Sequence, residues 1–540
     1  MFFGTIPLDQ AEGAILAHSV SVGARRYKKG HRLSAADIIL LREAGRADVI
    51  AARLEPGDVP EDEAARRVAA AATGAGVRRQ EPFTGRCNLY AAARGVVLID
   101  RERVVRLNAI DEAVTIATVA PFEVVEPDQM LATVKIIPFA APAPAVAEAE
   151  RLAAEGGPLV RVAAFAAKRV GLAVTRLPET KPSIVQKTID VVRGRVERLG
   201  SELALAFDCG HDAEAVAQAV RRLKGAGCDV ILIAGASANV DRRDVVPAGI
   251  VAAGGEVLHF GMPVDPGNLL LLARHGRRPV IGLPGCARSP KVNGFDWVLE
   301  RLLADIPVTA LDFARMGPGG LLSEIPTRPQ PRAGDVAAAK APRAPRIAAI
   351  VLAAGRSTRM GSNKLLEPVG GKPMVAHVVD AVLASAARPV VVVTGHQAPA
   401  VEAALAGRAI TFVANPDFVD GIAGSLRRGL AALPPGIDGA VVCLGDMPDV
   451  GAAHIDRLIA AFNPVEGRAI CVPTVHGKRG NPVLFGAEFF AEMREVQGDT
   501  GAKHLIGAHA DTVCEVAIED PAVLEDVDTP EALARLRARG

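Results

Sequence analysis

The chain reads as a multidomain α/β protein, and three features point there. At 540 residues it is too long for a single hydrophobic core. Short apolar runs rich in Val, Ile and Ala alternate with segments of helical spacing through residues 170–303, and again beyond residue 347. Between these two stretches, residues 325–346 are rich in Pro, Ala and Arg and hold almost no large apolar side chain, so they cannot bury enough surface to fold alone. The expected order is a mixed α+β region over 1–140, an α/β domain over 141–324, a semi-extended tether over 325–346, and a second α/β domain over 347–540. The break near 140 rests on the Pro/Ala run at 138–145.

Taken in chain order, residues 34–44 have helical spacing with Ser34 placed to cap them, and 95–106 read as paired strands. Strands are expected at 170–175, 203–207, 230–234 and 280–283, with helices at 183–199, 213–223 and around 295–303. Strands separated by helices of that length imply a parallel sheet with right-handed crossovers. Beyond the tether the logic repeats, with strands at 347–352, 389–394, 410–413 and 440–444.

The 62 basic and 61 acidic side chains leave a formal net charge of +1, which gives no electrostatic case for nucleic acid or an anionic membrane as the main partner. Half the residues are hydrophobic but only 4% are aromatic, a composition suited to close helix–sheet contacts between small side chains. No run approaches the roughly 18 apolar residues of a membrane span. The opening Met1-Phe-Phe-Gly-Thr-Ile-Pro-Leu-Asp9 lacks the basic segment and long apolar core of a signal peptide. The seven cysteines, at 87, 209, 228, 286, 443, 471 and 514, form no Cys-x-x-Cys pair, which argues against a zinc knuckle or disulfide framework and for a reducing compartment. A cytoplasmic protein is expected.

The most informative stretch is Leu352-Ala-Ala-Gly-Arg-Ser-Thr-Arg-Met-Gly-Ser-Asn-Lys364, directly after an apolar run. Gly355 and Gly361 let backbone approach phosphate oxygens, while Arg356, Arg359 and Lys364 bring charge that a triphosphate needs and a core does not. The loop is neither a Walker A sequence nor Gly-x-Gly-x-x-Gly. Asp446, in Leu444-Gly-Asp-Met-Pro448, follows a strand at the sheet edge where ligands bind. Asp528, in Asp526-Val-Asp-Thr-Pro-Glu531, offers a second carboxylate for Mg²⁺, or equally a helix N-terminus. Gly424 and Ser425 fall at a helix start, where free N–H groups meet an anion or a base edge. Gly480-Asn-Pro482 reads as a frame for the acceptor substrate or as a plain turn, and Gly498-Asp-Thr-Gly-Ala-Lys503 as a second Gly/Lys loop or a helix-starting turn.

Together these motifs resemble the molybdenum-cofactor cytidylyltransferase family, a branch of the Rossmann-like nucleotidyltransferases with the glycosyltransferase-A fold. The resemblance covers about residues 347–540. It implies nucleotide binding by Leu352, Ala353, Ala354, Gly355, Arg356, Met360, Gly361, Gly424 and Ser425. It also implies catalysis by Lys364, Arg359 and Asp446, and Mg²⁺ held by Asp446 and Asp528. Ala354 is similar to the cytidylyl branch, whereas the guanylyl branch usually carries Gly there, so CTP is the expected nucleotide. The implied chemistry is attack by a terminal phosphate of the acceptor on the α-phosphorus, with pyrophosphate leaving.

In the N-terminal half, Gly235 to Ser237 follow an apolar strand and are able to expose N–H groups to an anion, with Asp241 and Asp244 nearby. A strand-to-helix turn capped by the same aspartates explains the stretch as well. Pro284-Gly-Cys-Ala-Arg288 is a second such junction, with Arg288 and Lys291 available for phosphate and Cys286 a small packing residue or a thiolate. These stretches, with Ala11-Glu-Gly-Ala-Ile-Leu-Ala-His18 and Lys28-Lys-Gly-His-Arg-Leu-Ser34, resemble the molybdopterin-binding domain of molybdopterin molybdotransferases. That resemblance implies molybdopterin binding by Gly235, Ser237, Asp241, Asp244, Pro284 and Gly285. Ala236 and Asn239 stand where the family has glycines, and Cys286-Ala287 where it has Asn-Pro; these departures weigh against molybdate insertion more than against pterin binding.

The combined expectation is a cytidylyltransferase that binds molybdopterin or its molybdenum form in one half and cytidylylates it in the other. Its partners would be small-molecule substrates and a molybdoenzyme or its chaperone. Alternative readings are a guanylyltransferase of the same cofactor, a nucleotidyltransferase acting on a sugar phosphate or methylerythritol phosphate, and an N-terminal half that only carries the cofactor.

Overall fold

An all-apolar run is stable as a strand only when both faces are covered, and every residue of Ile347–Ala353 is buried. In the computed structural model, described here for residues 1–23, 25–322, 343–357, 360, 362–418, 421–464, 467–496 and 502–539, this strand lies inside an eight-stranded sheet. The order is Thr411–Ala414, Val390–Thr394, Ile347–Ala353, Gly439–Leu444, Val483–Gly486, Ile470–Val475 and Lys478–Arg479, with Val513–Ala517 added beside Ile470–Val475. Alternate residues feed two cores. Ile347, Ala349, Val351 and Ala353 pack on one face, and Ala348, Ile350 and Leu352 on the other. The result is a three-layer unit.

The first four strands of this sheet run parallel, as expected. Val483–Gly486 runs antiparallel to both its neighbours, so the sheet is mixed rather than wholly parallel. The connection after Ile470–Val475 is too short for a crossover helix and must turn back on itself.

The N-terminal α/β unit repeats this departure. Its six strands are ordered Glu202–Gly210, Arg169–Arg176, Val230–Ala234, Arg278–Leu283, Leu271–His275 and Glu256–Phe260. The first four are parallel and the last two antiparallel. A two-residue turn through Gly276, at φ 62, folds Leu271–His275 back onto its successor. Helices Pro182–Arg198, Ala213–Gly225 and Gly294–Leu303 fall where periodicity puts them.

The break expected near 140 lies later. Ala140–Pro142 pairs with Asp58–Pro60, and Val160–Ala164 pairs with Gly95–Ile99, so everything up to residue 164 belongs to the preceding layers. Ala140, Ala141 and Val146 are buried: the Pro/Ala run is a close-packed seam, because alanine lets elements approach, and it is not a linker. Most of the expected tether, residues 325–342, lies outside the described residues, and 343–346 lie within them. A second correction concerns 95–106, where the strand Gly95–Ile99 is followed by the helix Arg101–Asn108, started by the Asp100 carboxylate accepting from the Arg103 N–H. The helix Ala35–Glu43 opens on a reciprocal cap between Ser34 and Asp37. Among the described residues no helix is long and apolar enough to cross a membrane.

The helix Ile422–Ala431 covers one face of the catalytic-side sheet, and Gly429 makes that approach possible. A Cβ on Gly429 would sit 2.5 Å from Ile350 Cγ2 and 3.2 Å from Val393 Cγ2. Gly429→Ala should therefore cost about 1–3 kcal/mol, read as a lower urea midpoint with an unchanged slope.

Candidate active site

Parallel strands in register carry the loops that follow them to one edge of the sheet. Leu352 is the register partner of Leu444, so the loop after Ala353 and the loop holding Asp446 begin side by side. The Gly445 N–H donates to the Leu352 carbonyl at 3.0 Å, and a Cβ there would lie 3.0 Å from that same oxygen. Glycine is what allows the two loops to touch. The Val527 N–H donates to the Asp446 carbonyl at 3.0 Å, which brings Asp528 from the far end of the chain into the same place.

At the centre stands Lys364. Its Nζ lies 2.5 Å from Asp446 Oδ2 and 2.5 Å from Asp528 Oδ1. The lysine side chain is 13% exposed, Asp446 19% and Asp528 41%. Burial disfavours the charged ammonium, but Asp446 and then Asp528 outweigh it and hold the lysine pKa above its ordinary value. The following helix, Pro530–Arg539, is capped by Thr529, whose Oγ1 accepts from the Ala532 N–H at 3.2 Å, while the Asp528 carboxylate reaches Lys364.

The rest of the loop is anchored around this charge cluster. Leu352, Ala353 and Ala354 are buried, while Gly355 and Arg356 are exposed and nothing lies within 4 Å of a Cβ built on Gly355. Ser357 takes a left-handed φ of 51, and its hydroxyl accepts from the Lys364 N–H at 3.1 Å. Asn363, buried, accepts from the Leu365 N–H. Met360 packs with Met374, Val527, Leu533 and Leu536, pinning the loop to the C-terminal helix. Arg359 and Gly361, and the 498–501 part of the second Gly/Lys loop, lie outside the described residues.

Gly424 and Ser425 stand in the first turns of Ile422–Ala431, but the Ser425 hydroxyl is buried and accepts from Asn415 Nδ2 at 3.0 Å. Asn415 also accepts from Arg428 Nε, and Arg428 pairs with Asp417 at 2.8 Å. This network fixes the loop between strand and helix and was not legible from spacing alone. Gly480-Asn-Pro482 packs against Val523: the Asn481 N–H donates to the Val523 carbonyl, and a Cβ on Gly480 would collide with that oxygen. There the plain-turn reading wins.

In the N-terminal half, Val230–Ala234 and Arg278–Leu283 are parallel neighbours, so the loops at 235–244 and 284–293 meet. Arg288 Nη2 donates to the Gly235 carbonyl at 2.7 Å. The exposed Ser237 hydroxyl lies 3.0 Å from His211 Nε2, whose Nδ1 lies 2.8 Å from Thr175 Oγ1; the Ala236 N–H donates to that threonine oxygen at 2.7 Å. Asp244 caps Val245–Ala252, and Asp241 accepts from Arg243, so both aspartates serve the turn itself. Pro284 and Gly285 open a short 3₁₀ turn, Gly285–Arg288. Arg195, missed in the sequence, organises this second loop: it is 3% exposed, pairs with Asp296 at 2.7 Å and donates to the carbonyls of Ala287, Ser289 and Lys291.

Comparison with known proteins agrees with this geometry at the C-terminal end. Residues 349–513 match the family described as the MobA-like NTP transferase domain, and residues 5–53 match a domain of unknown function (DUF8806). The bifunctional protein GlmU of Sphingopyxis alaskensis is 35% identical over 238 residues, covering 36% of this chain and 52% of that protein. GlmU of Kineococcus radiotolerans is 42% identical over 131 residues, 24% of this chain and 26% of the relative, so the chain spans between a quarter and a half of these proteins. The purine catabolism protein PucB of Bacillus subtilis is 29% identical over 210 residues, 36% of this chain and 98% of its own length. The crystal structure of Rv0371c from Mycobacterium tuberculosis is 32% identical, covers 36% of this chain and 99% of that one, with a TM-score of 0.33. The C-terminal unit thus carries a nucleotidyltransferase domain of the MobA-like kind.

Two outcomes follow from the charges. Lys364→Met leaves two carboxylates facing each other and should cost about 1–2 kcal/mol at neutral pH, discounted because Asp528 is half open to solvent. Because the folded-state lysine pKa is raised, the advantage of wild type over this variant is complete below the ordinary lysine value of 10.5 and fades as pH climbs through the folded value; denaturant midpoints across alkaline pH measure it. Arg195→Met strands the Asp296 carboxylate and three carbonyls, so a loss of about 3–5 kcal/mol is expected in thermal melts, with earlier proteolysis in residues 284–293.

Proposed function

We propose that the protein transfers a cytidylyl group from CTP to the terminal phosphate of molybdopterin, or of its molybdenum form, releasing pyrophosphate. The observation that carries this reading is the convergence of Lys364, Asp446 and Asp528 beside the exposed backbone of Gly355. A nucleoside triphosphate brings several negative charges, and a lysine held protonated is the counter-charge it requires. Two hard carboxylate oxygens gathered around one cation also suit Mg²⁺, which takes one or two carboxylates plus substrate phosphates. Such an ion, when bound, would neutralise the developing phosphate charge between acceptor and leaving group.

The chain's own residues do the rest. The loop from Leu352 to Lys364 orients the triphosphate, with Arg356 and Arg359 supplying further positive charge. An acceptor phosphate oxygen forms a new bond to the α-phosphorus while the bond to the pyrophosphate oxygen breaks, so little covalent work falls to the protein. Ala354, standing where the guanylyl branch usually carries glycine, supports CTP over GTP.

The N-terminal α/β unit would hold the pterin where loops 235–244 and 284–293 meet, with Gly235, Ser237, Asp241, Asp244, Pro284 and Gly285 around it. The Arg288–Gly235 contact supports that use, since it joins the two loops at the carboxyl edge of the sheet. The product would pass to a molybdoenzyme or its chaperone in the cytoplasm. A sugar phosphate is the rival acceptor, for which the likeness of residues in the C-terminal unit to GlmU speaks.

The test is pyrophosphate release by the full-length protein with Mg²⁺, each nucleoside triphosphate in turn, and either molybdopterin or a hexose 1-phosphate. Release only with CTP and molybdopterin is expected; release with the sugar phosphate alone overturns the acceptor. Asp446→Ala should lower the rate at least 100-fold while the melting curve keeps its shape.

A further inference from the structure

The strands that carry the catalytic loops at one edge of the C-terminal sheet begin, at the opposite edge, in a separate cleft. It has a volume of about 830 Å³ and runs between the strand Val77–Arg79, in the middle layers built by residues 58–164, and the first residues of Ile347–Ala353, Val390–Thr394 and Thr411–Ala414. That size is within the range of small-molecule sites. At about 3.3 Å per residue, the seven-residue strand Ile347–Ala353 separates it from the catalytic loop by roughly 20 Å. Nothing in the proposed transfer uses it.

Its lining is dominated by guanidinium groups: Arg78, Arg79, Arg346, Arg388 and Arg408, against Glu81, Asp128 and Asp456. Local pairing removes part of this charge. Arg78 pairs with Asp128 at 2.7 Å, and Arg408 with Asp380 at 2.5 Å. Arg388 is spent on the carbonyls of Ser385 and Ala387 without meeting a carboxylate. Arg79 and Arg346, both exposed, have no carboxylate within ion-pair distance among the described residues. On the acidic side Glu81 leans to Arg66 at 3.7 Å, and burial pushes the Asp456 carboxyl upward, toward its neutral form. Three arginines thus face the cleft with little to balance them. Like charges on the two walls of one cleft focus a positive potential there and draw in anions.

We infer that this cleft binds a small polyphosphate anion, gripped by Arg79 from the middle layers and by Arg346 from the nucleotidyltransferase unit, with Arg388, held on backbone carbonyls, adding positive charge beside them. Guanidinium groups match phosphate oxygens two at a time, and two of them on opposite walls suit linked phosphates better than a single carboxylate. Because the grip comes from both sides of the cleft, an occupied site ties the middle layers to the root of the catalytic sheet. A free nucleotide and the pyrophosphate product are the two sources of such an anion.

The experiment is calorimetric titration of the full-length protein with inorganic tripolyphosphate in EDTA, which removes any metal-dependent binding at the catalytic loop. One anion per chain is expected. The charge-reversed pair Arg79→Glu with Arg346→Glu should weaken it at least tenfold, and since both side chains are exposed, an unchanged melting temperature confirms the fold. Arg356→Glu, in the catalytic loop, should leave this binding in place. No binding to the wild type, equal binding to the double variant, or loss only in Arg356→Glu each overturns the inference. Repeating the titration with CTP and with pyrophosphate separates the two sources.

Discussion

The C-terminal site is organised by one ammonium group between two carboxylates. Lys364, Asp446 and Asp528 come from three distant parts of the chain and are joined at 2.5 Å on each side. The ammonium offsets the repulsion between the two aspartates, and the aspartates outweigh the burial that disfavours its charge. The backbone enforces the meeting. Strand register fixes Leu352 beside Leu444, Gly445 removes the Cβ that would hold the loops apart, and the Val527 N–H draws in the last segment. Lys364 offsets one of the two carboxylate charges and leaves the trio with an excess of negative charge that suits a divalent cation. A triphosphate brings negative charge to the lysine, and the carboxylates are left for a stronger counter-ion.

How legible this was depends on how local the signal is. The strand 347–353 and the phosphate-friendly loop after it are contiguous in sequence, so composition alone exposes them. Asp446 is equally local, two residues past a buried strand. Asp528 was open between metal ligand and helix cap, and what decides is its neighbour: Thr529 takes the cap, and the carboxylate turns to Lys364. In the N-terminal half the same ambiguity ends the other way. Asp244 caps its own helix and Asp241 accepts from Arg243 in its own turn, so local contacts account for part of what each carboxylate does. Residue type and spacing are identical evidence in both cases, and only a third residue distinguishes them.

What the sequence concealed is long-range. The pairing of Val160–Ala164 with Gly95–Ile99 moves the unit boundary to about residue 165, and no composition shift marks it, because alanine is as much at home in a seam as in a linker. Arg195 looks like any surface arginine of a helix until its fork is seen buried against Asp296 and three carbonyls. The antiparallel edges follow a similar rule: short connections forbid crossovers, but a short connection is recognisable only once both strands are known.

The same non-local packing changes how the two halves relate. A tether alone would set the encounter between them through its length, as a concentration. The middle layers, however, lie directly on the nucleotidyltransferase unit. Phe83 packs against its core cluster under the guanidinium of Arg468, 5.4 Å from the ring, and Arg457 reaches Asp62 at 3.5 Å. The ion pair is partly exposed and contributes little, so the half-buried phenylalanine and the Gln80 contact with the Ile459 carbonyl carry more of the seam.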